Sequence, residues 1–490
     1  MNILLVSAAT PDTFWSFKHI LPFVSKKAAF PPLGLLTVAA MLPGDWQLKL
    51  VDLNIARLSD ADIAWADYVM ISAMIVQAES AREVIRRCRE KGKTLIAGGP
   101  LFTTGHDGFP EADHFVLGEA EDVMPALVAD MRSGRLQRFY RSDQRPDVTR
   151  TPVPRWDLIR LDHYATMPLQ FSRGCPFDCE FCDIIVMNGR KPRTKTPGQM
   201  LTELESLVQA GWRGGIFIVD DNFIGNKVKV KAFLRELVAW RRKTRIPMAL
   251  TTEASLNLAD DPELLDLMVQ AGFKKVFVGI ETPAEASLVE CGKFQNSGRD
   301  MLAAVRVIQN SGIEVMGGFI IGFDSDRPGI FEQQRRFIQE SGIVTAMVGL
   351  LTALPGTKLF TRLKNEGRIL SDPTGNNLDG VLNFVPTLDR ELLVQGYRSL
   401  IQRIYAPNEY YRRILRFLRE YRPGGPKMRP TWDDWMALVK SLWVMGVRTR
   451  GRREYWKFLT RVLVSHRRKF SEAVTLAIMG HHFRKVAAAI

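Results

Sequence analysis

At 490 residues the chain is too long for one ordinary core, because domains usually hold about 100 to 150 residues, and it predicts a protein of several domains. Its composition, 46% hydrophobic and 24% charged, excludes collagen-like, low-complexity and disordered classes, and no run reaches the ~18 apolar residues of a membrane-spanning helix. The whole net charge of +14 lies in the last 90 residues, where 20 Lys and Arg stand against 6 Asp and Glu, which predicts contact with an anionic surface.

Residues 1–149 are predicted to form a doubly wound α/β domain. Short apolar runs alternate with helical stretches that end at Gly or Pro, as in β-α-β units. The opening "MNILLVSAAT" has no basic leader and is interpreted as a buried strand, so we expect a cytoplasmic protein. Five strands with interleaved helices indicate a flavodoxin-like, Rossmann-type sheet, whose ligands bind at the carboxyl ends of the strands. The predicted strands are 2–8, 47–53, 68–74, 94–99 and 114–119.

Three glycines directly follow predicted strands of this domain. Gly98 and Gly99 follow the fourth strand, and Gly118 follows the fifth. Glycine lets a backbone approach a bound molecule closely, which favours a binding role, but turns at strand ends also select glycine. The sequence leaves both interpretations open.

A proline-rich linker is predicted at 150–165, and a second alternating series begins after it. Six β/α units within residues 166–360 are too few for a closed eight-stranded barrel, so they indicate an open, partial (β/α)6 barrel. By analogy with closed barrels, we expect the reactive site at the carboxyl ends of its strands. Its predicted strands are 168–172, 216–220, 248–253, 275–281, 314–322 and 346–351.

Three of the five cysteines fall within "RGCPFDCEFC", which opens at Arg173. Cys175, Cys179 and Cys182 form C-x3-C-x2-C directly after the first strand of the second series. A structural zinc site would want four ligands, whereas three thiolates suit a [4Fe–4S] cluster that leaves one iron open for chemistry. Zinc or structural thiols are the alternative. Cys88 and Cys291 are interpreted as ordinary interior residues.

The cysteine motif resembles that of the radical S-adenosylmethionine (SAM) superfamily, in which C-x3-C-x-aromatic-C lies on a partial β/α barrel. The preceding flavodoxin-like segment is similar to the cobalamin (B12)-binding subclass, and within it the chain resembles the hopanoid C-2 methylase and its relatives over almost its whole length. The similar stretches are "PPLGLLTVAAML" at 31–42, "FVLGEAED" at 115–122, "PDTFWSFKH" at 11–19, "KPRTKT" at 191–196, "VDDNFIGN" at 219–226 and "GGFIIGFD" at 317–324.

The resemblance implies a cluster on the three cysteines whose free iron chelates the amino and carboxylate groups of SAM. Reduction then cleaves SAM to a 5′-deoxyadenosyl radical, while the protein supplies position and excludes water. Phe181, between the second and third cysteines, is implied to lie against the adenine. A core aromatic is the alternative for Phe181.

Polar residues at strand ends are implied to bind the rest of SAM. Asp220, Asp221 and Asn222 end the second barrel strand, where the family holds the methionine amino group, although one aspartate is also suited to cap a helix. Glu281 and Glu253 are implied ribose ligands, with a surface role as the alternative. One cation of the following run would pair with the SAM carboxylate, unless the run is a solvated loop. These cations are Arg190, Lys191, Arg193 and Lys195.

The first domain is implied to hold cobalamin without a histidine on cobalt. Cobalamin domains of the methionine-synthase kind carry D-x-H-x-x-G, but "VDLNIARL" has no histidine two places after Asp52. Trp15 or Phe17 would close one face of the corrin, with core packing as the alternative, and neither His19 nor His106 is a predicted cobalt ligand. The expected tail and corrin contacts are Ser72, Gly98, Gly99, Gly118 and Glu119.

The implied activity is methyl transfer to an unactivated carbon of an apolar, hopanoid-like lipid. One SAM would methylate cobalamin and another would supply the radical, so no general base is needed at that carbon. The chain carries neither a Ser-His-Asp nor a paired-carboxylate signature, which agrees with this. A SAM/B12 enzyme with other chemistry, such as tetrapyrrole cyclisation, and a cobalamin or redox sensor are the alternatives. An electron donor such as flavodoxin or ferredoxin is an expected partner.

Residues 361–490 are predicted to be a basic helical region, broken by "RPGGPKMRP" at 422–430. Its stretches "YYRRILRFLREY", "EYWKFLTRVLVSHRRKF" and "AVTLAIMGHHFRKVAAAI" mix cations with large apolar residues, as helices in a membrane interface do. A helical cap packed on the barrel explains the same pattern equally well. Nucleic acid is not expected, because the aromatic residues follow helical spacing rather than an exposed sheet. Peripheral attachment to the inner face of a membrane would suit a lipid substrate.

Overall fold

The computed structural model describes residues 1–376, 378–425 and 432–490. Strands within these ranges form two six-stranded parallel sheets and one two-stranded ribbon, with helices around them, so the predicted α/β fold class is confirmed. The strands are β1 (Asn2–Ser7), β2 (Gln47–Asp52), β3 (Tyr68–Ser72), β4 (Thr94–Gly98), β5 (His114–Leu117), β6 (Phe139–Arg141), β7 (Thr166–Leu169), β8 (Ser172–Arg173), β9 (Arg193–Thr194), β10 (Gly215–Ile218), β11 (Leu250–Ala254), β12 (Phe273–Glu281), β13 (Glu314–Ile321) and β14 (Ala346–Leu350).

Helices connect the strands and then form the C-terminal region. Those of the first domain are α1 (Leu33–Ala40), α2 (Asp60–Trp65), α3 (Ala78–Glu90), α4 (Pro100–Gly105) and α5 (Met124–Ser133). Those of the barrel are α6 (Ile184–Met187), α7 (Pro197–Gln209), α8 (Lys227–Thr244), α9 (Pro262–Ala271), α10 (Glu285–Glu290), α11 (Met301–Ser311) and α12 (Ile330–Ser341). The C-terminal helices are α13 (Lys358–Asn365), α14 (Arg390–Tyr405), α15 (Pro407–Glu420), α16 (Trp432–Trp443), α17 (Arg452–Ser465) and α18 (Phe470–Ala487).

The first sheet has the strand order β2-β1-β3-β4-β5-β6, which is the flavodoxin-like order with one strand added at the edge. Apolar side chains of β1 alternate between two separate cores, with Leu4 and Val6 in one and Ile3 and Leu5 in the other, because helices cover both faces of the sheet. The prediction of five strands missed β6. That strand has only three residues and exposes 43% of Phe139, so it carries no alternating pattern that a sequence reading can detect.

The second sheet has the order β14-β13-β12-β11-β10-β7, in which every neighbouring pair is parallel and consecutive in the series. This is the predicted open, partial barrel. The strand predicted at 168–172 is broken, because only Thr166–Leu169 joins the barrel, while Ser172–Arg173 pairs antiparallel with β9. At the break, the Asp220 carboxylate accepts hydrogen bonds from Phe171 N and Ser172 Oγ.

One continuous core joins the barrel to the segment before it and to the C-terminal helices. Trp156 and Tyr164, in the segment predicted as a linker, are buried, and Ala28 pairs with Tyr164 in a parallel bridge. The segment is therefore packed against both neighbouring parts of the chain. Its short helices are Val148–Arg150, Trp156–Leu158 and Leu161–His163.

The C-terminal region is helical as predicted, and two of the three stretches that mix cations with large apolar residues are interior. Helix α18 buries most of its residues, among them both His481 and His482, and α15 buries Tyr410, Tyr411 and Phe417. These helices pack as a cap on the barrel, which was the alternative interpretation. The predicted break at 422–430 lies partly outside the described residues, from 426 on. No helix within the described ranges is long and apolar enough to cross a membrane.

Candidate active site

A cavity of about 890 Å³ lies between the two large sheets, at the carboxyl ends of both sets of strands. The segment from residue 10 to residue 35 closes one side of it. The first domain contributes Ser7, Asp52, Asn54, Ser72 and Gln77 to its lining. The barrel contributes Phe181, Cys182, Asp183, Glu253, Phe277 and Glu281. Two sets of functional groups, one from each domain, therefore meet in a single space.

The three cysteines lie on the loop that follows β8, at the rim of this cavity. The loop begins at Gly174, whose φ is +96°, and an added Cβ would lie 2.7 Å from Gly189 O, so this position requires glycine. Asn222 Nδ2 lies 3.8 Å from Cys175 Sγ, and Gln295 Nε2 lies 3.9 Å from Cys179 Sγ. Two amide donors therefore approach two of the three sulfurs, as expected for thiolates rather than for apolar packing.

Burial raises the pKa of two of the thiols of this loop. It raises the pKa of Cys182 to about 12 and also raises that of Cys179. Burial likewise raises the pKa of Cys88 to about 11 and of Cys291 to about 12, so the pKa does not separate the loop cysteines from the interior ones. The thiols would release their protons on binding iron, because the thiolate form is the metal ligand.

The thiols fit a cluster better than a single ion. Within the described ranges, no three His, Cys, Asp or Glu side chains are placed to share one metal ion. A four-iron cluster makes a different demand, because each of its three thiolates binds a separate iron. Three thiols on one loop, two of them faced by amide donors and one lining the cavity, provide a suitable donor set.

Asp220, Asp221 and Asn222 make hydrogen bonds to the cysteine loop and to the residues that lead into it. Both oxygens of Asp220 accept hydrogen bonds from the strand that leads into the loop, at 2.7 Å and 2.6 Å. Asp221 accepts from Asn188 Nδ2 at 3.0 Å and from Gly174 N at 3.3 Å. Burial raises the pKa of Asp220 to about 7 and also raises that of Asp221. The alternative of helix capping is wrong, because Asn226 caps α8.

Glu253 and Glu281 both line the cavity, and their surroundings differ. Burial raises the pKa of Glu253 to about 8, and the neighbouring carboxyls of Asp221 and Asp220 add to the shift. Glu281 is a buried carboxylate whose Oε1 accepts from Lys293 Nζ at 2.7 Å. The Glu281 backbone has φ of +64°, at a register shift between β12 and β13. Such backbone strain in a non-glycine residue is concentrated at functional sites.

The cations after the cluster are mostly paired with protein groups. Arg193 binds Glu119, with a shortest distance of 2.6 Å, and the buried Lys195 pairs with Glu203. Arg190 lies 3.2 Å from Asp178, and Lys191 is exposed. The interpretation of this run as a solvated loop is wrong for Arg193 and Lys195, and these two are committed to internal ion pairs.

Glu119 lies outside the cavity, where it connects the two domains. Its oxygens bind Arg193 and also Arg173, which reaches Glu119 at 2.7 Å and Glu121 at 2.7 Å. This corrects the predicted corrin contact, because both oxygens are already engaged. Gly98 and Gly118 do not line the cavity either, while Ser72 does. Gly99 lies behind Ser72, since an added Cβ would stand 2.6 Å from Ser72 Oγ.

The first domain presents a hydrogen-bonded polar network to the cavity. Asp52 accepts from Asn54 N and Nδ2, at 3.0 Å and 2.7 Å, and from Tyr164 Oη at 3.0 Å. Gln77 donates to Ala8 O at 2.7 Å and to Thr10 Oγ1 at 2.9 Å. Burial raises the pKa of Asp52. The network is neutral apart from this one carboxyl, which suits the polar tail of a large cofactor.

Aromatic side chains form the walls between these polar ends. Trp15 stacks on Phe217, with ring centroids 6.3 Å apart, and contacts Phe277 at 5.0 Å. Phe181 lines the cavity and packs on Phe323 at 6.2 Å. Phe17 instead contacts His482 on α18, so of the two predicted corrin contacts only Trp15 lines the cavity. All seven histidines are in the described part of the chain, and none lines the cavity.

Sequence reasoning missed several residues at this site. Lys293 and Gln295 approach Glu281 and the cluster loop, but they belong to no motif that marks them. Arg173 opens the cysteine stretch, but nothing local in the sequence indicates its contact with Glu119. Gln77 was also missed; it ends the short helix Ile75–Gln77, directly before α3. The positive φ of Glu281 has no sequence signal, because glycine is the residue expected there.

Three family profiles cover most of the chain. The B12 binding domain matches residues 24–128, the radical SAM superfamily matches 169–332, and a domain of unknown function, DUF4070, matches 357–490. The first two coincide with the two sheets that meet at the cavity. Together, fold and site define an α/β enzyme in which a thiol-bearing barrel faces a cofactor-binding sheet.

Relatives and solved structures agree with this class. An uncharacterised methyltransferase of Synechocystis sp. strain PCC 6803 is 42% identical over 99% of this chain and 91% of its own. The hopanoid C-2 methylase of Rhodopseudomonas palustris strain TIE-1 is 34% identical over 98% and 92%. TsrM of Kitasatospora setae, solved with cobalamin and a [4Fe–4S] cluster, shares the fold with a TM-score of 0.63, 16% identity and 99% coverage of both chains. OxsB, solved with aqua-cobalamin, gives a TM-score of 0.64 at 15% identity, and the match covers 100% of this chain and 81% of the OxsB chain.

The chain belongs to the cobalamin-dependent radical SAM methyltransferases. Its cofactors are a [4Fe–4S] cluster, SAM and cobalamin. The interpretation as a sensor without turnover gives way to an enzyme, and the family resemblance drawn from the cysteine motif is confirmed.

Proposed function

We propose that this enzyme adds a methyl group to an unactivated carbon of an apolar, polycyclic lipid of the hopanoid kind. The observation that carries the proposal is the aromatic and aliphatic wall of the cavity between its two polar ends. A hopanoid C-2 methylase that is 34% identical over nearly the full length supports the same substrate class. An apolar substrate gains free energy from such a wall without needing hydrogen-bond partners.

We propose that Cys175, Cys179 and Cys182 hold the cluster and that the surrounding carboxylates hold SAM. When bound, the cluster and SAM supply a radical that removes hydrogen, and cobalamin supplies the methyl group. Glu253 is the best-placed of these carboxylates to contact SAM, because it lines the cavity and has a raised pKa. Asp220 positions the loop by accepting from Phe171 N and Ser172 Oγ.

The first domain is proposed to hold cobalamin through Ser72 and the network of Asp52, Asn54 and Gln77. Gly99 supports this role, because any side chain there would displace Ser72. Trp15, Phe217 and Phe277 would exclude water from the space between the two cofactors. Gly98, Gly118 and Glu119 act one layer further out in this proposal, where Glu119 ties the domains together.

A small acidic electron carrier such as flavodoxin or ferredoxin is the proposed reductant, since the cluster must be reduced in each cycle. We also propose that the enzyme works in the cytoplasm at the inner face of a membrane, where an apolar lipid is available.

The test is transfer of label from SAM with a deuterated methyl group. Anaerobically purified enzyme, supplied with cobalamin and a reductant, should place the intact methyl label in a hopanoid, detected by mass spectrometry. A Mg-tetrapyrrole is offered in a parallel reaction. Label in the tetrapyrrole alone, or ring closure without label, would contradict the lipid proposal, and Cys182→Ala sets the background.

A further inference from the structure

Helix α16 turns its large aromatic side chains outward and its small ones inward. Ala437 and Ser441, on the face toward the protein, are 7% and 0% exposed. Side chains three or four residues apart share a face of a helix, so the outward ones form a single stripe. This stripe consists of Trp432, Trp435, Val439 and Trp443, which are 76%, 57%, 56% and 59% exposed.

The stripe continues beyond the end of α16. Val447 follows in the π-helical turn Val444–Arg448 and is 46% exposed. Trp456 of α17 is 47% exposed and is held against this turn, because its Nε1 donates to Gly446 O at 2.9 Å. We call the resulting surface the tryptophan face. It consists of Trp432, Trp435, Val439, Trp443, Val447 and Trp456.

Exposed basic residues follow the tryptophan stripe of α16 along the chain. Residues 448–468 contain eight exposed Arg and Lys and a single acidic residue, Glu454. Asp433 and Asp434 lie in the first turn of α16. Because each residue of an α-helix is rotated by about 100° from the one before it, these two follow Trp432 on other faces of the helix than the stripe. The eight cations are Arg448, Arg450, Arg452, Arg453, Lys457, Arg461, Arg467 and Arg468.

Composition alone does not explain this exposure. Helix α15 has a similar mixture of arginine and aromatic residues, yet it buries Tyr410, Tyr411 and Phe417 and even Arg413. Exposed tryptophan beside exposed cations is the arrangement found where a protein lies in the headgroup region of a bilayer.

We propose that the tryptophan face docks this enzyme on an anionic lipid bilayer, with the tryptophans in the headgroup region and the cations against lipid phosphates. The docking itself is independent of the substrate, while its purpose, access to a membrane lipid, rests on the proposed function.

The attachment of α16 explains how docking would serve the cavity. Lys440 donates to Pro22 O at 2.8 Å, to Phe23 O at 3.3 Å and to Ser25 Oγ at 3.0 Å. These residues belong to the segment that walls the cavity, where Leu21 and Lys27 are lining residues. A bilayer on α16 would therefore lie next to a segment that lines the cavity.

The test is flotation of the cofactor-loaded enzyme with vesicles of phosphatidylcholine, with and without phosphatidylglycerol. The partition coefficient of the Trp435→Ser/Trp443→Ser variant on the anionic vesicles should fall by about 100-fold, because the variant lacks two large apolar side chains that would enter the headgroup region. The matched control is Trp65→Ser/Val228→Ser, because these residues are 37% and 78% exposed on other surfaces. It should bind like the unaltered enzyme, and binding should weaken with salt.

Equal binding by the two double variants would overturn the proposal. So would a dimer in solution that dissociates on Trp435→Ser/Trp443→Ser, measured by light scattering, because the face would then be a contact between copies. Methyl transfer to a detergent-solubilised hopanoid should be the same in both variants. If neither the unaltered enzyme nor either variant methylates the hopanoid, while vesicle binding is intact, the lipid substrate is contradicted but the docking surface is not.

Discussion

The two ends of the cavity differ in how their polar groups are balanced. At the barrel end, burial raises the pKa of Asp220, Asp221 and Glu253, and the carboxyls of Asp221 and Asp220 add to the shift of Glu253. At the sheet end, a single carboxyl, Asp52, accepts hydrogen bonds from neutral donors on Asn54 and Tyr164. One end is crowded with acidic groups, whereas the other is close to neutral.

The difference indicates where reactive and holding functions lie. Buried carboxyls and thiols become stable as anions only when cations or metal join them, so the barrel end is incomplete without its cofactors. A hydrogen-bonded network of neutral groups needs no such partner and is formed in advance. Substitutions should therefore affect chemistry strongly at the barrel end and mainly affinity at the sheet end.

The largest effect is expected from Cys179→Ala. Removing one thiolate should abolish cluster assembly, with iron and sulfide near background and 5′-deoxyadenosine production reduced by about 10³-fold or more. Cys88→Ala is the control, since Cys88 is equally buried but lies on α3. Cobalamin binding should persist in both variants. A normal iron content in Cys179→Ala would remove the assignment of the ligands.

A smaller loss is expected from Lys293→Met. It leaves Glu281 as a buried charge without its partner at 2.7 Å, so the free energy of unfolding should fall by about 3 kcal/mol, measured by urea denaturation. Glu281→Gln/Lys293→Met should regain part of this loss, because both charges are then absent. A loss in the double variant equal to the sum of the two single losses would show that the pair is not coupled.

The affinity for SAM should depend on pH through Glu253. Its raised pKa, about 8, means that the free carboxyl is mostly protonated below that pH, so binding the cationic SAM must expel the proton. Affinity should rise by about 20-fold between about pH 6.5 and 8.5, measured by calorimetry, and Glu253→Gln should flatten the profile. Stability without ligand should change in the opposite direction, falling as pH rises from about 5 to 8, because the unfolded carboxyl ionises first. Calorimetry showing no proton release would refute this assignment.

At the sheet end, Gly99→Ala should weaken cobalamin binding by a few-fold to about tenfold. The added Cβ would meet Ser72 Oγ at 2.6 Å, and φ of +93° disfavours alanine, so Ser72 must move. Gly105→Ala is the matched control, because a Cβ there meets nothing within 4 Å. Cluster content should be unchanged in both variants. Equal cobalamin affinity in both would show that Ser72 does not contact the cofactor.

The sequence contained the strands and the cysteine loop but not the contacts between distant segments. Alternating apolar runs predicted five strands of the first sheet, because periodicity is local, while the three-residue β6 was missed. Arg173 meets Glu119 54 positions away, and Lys440 meets Pro22 418 positions away, so neither pair leaves a local pattern. The role of Lys293 is evident only from the structure, where its Nζ lies 2.7 Å from Glu281 Oε1.

The C-terminal helices give the same lesson from composition. From the sequence, α15, α17 and α18 received the same interpretation, because all three mix cations with large apolar residues. Packing separates them, because α18 is interior while Trp456 on α17 is exposed. Helix α16, with the most exposed tryptophans, was not singled out, since its stripe follows the spacing that normally marks a buried face.

The most direct test of the account is Mössbauer spectroscopy of enzyme loaded with iron-57, before and after adding SAM. Three cysteine ligands leave one iron of four without a protein thiolate, so SAM should change the signal of one iron and leave the other three unaltered. Four irons that do not respond to SAM, or zinc in place of iron, would contradict the assignment of Cys175, Cys179 and Cys182 as ligands of an open cluster.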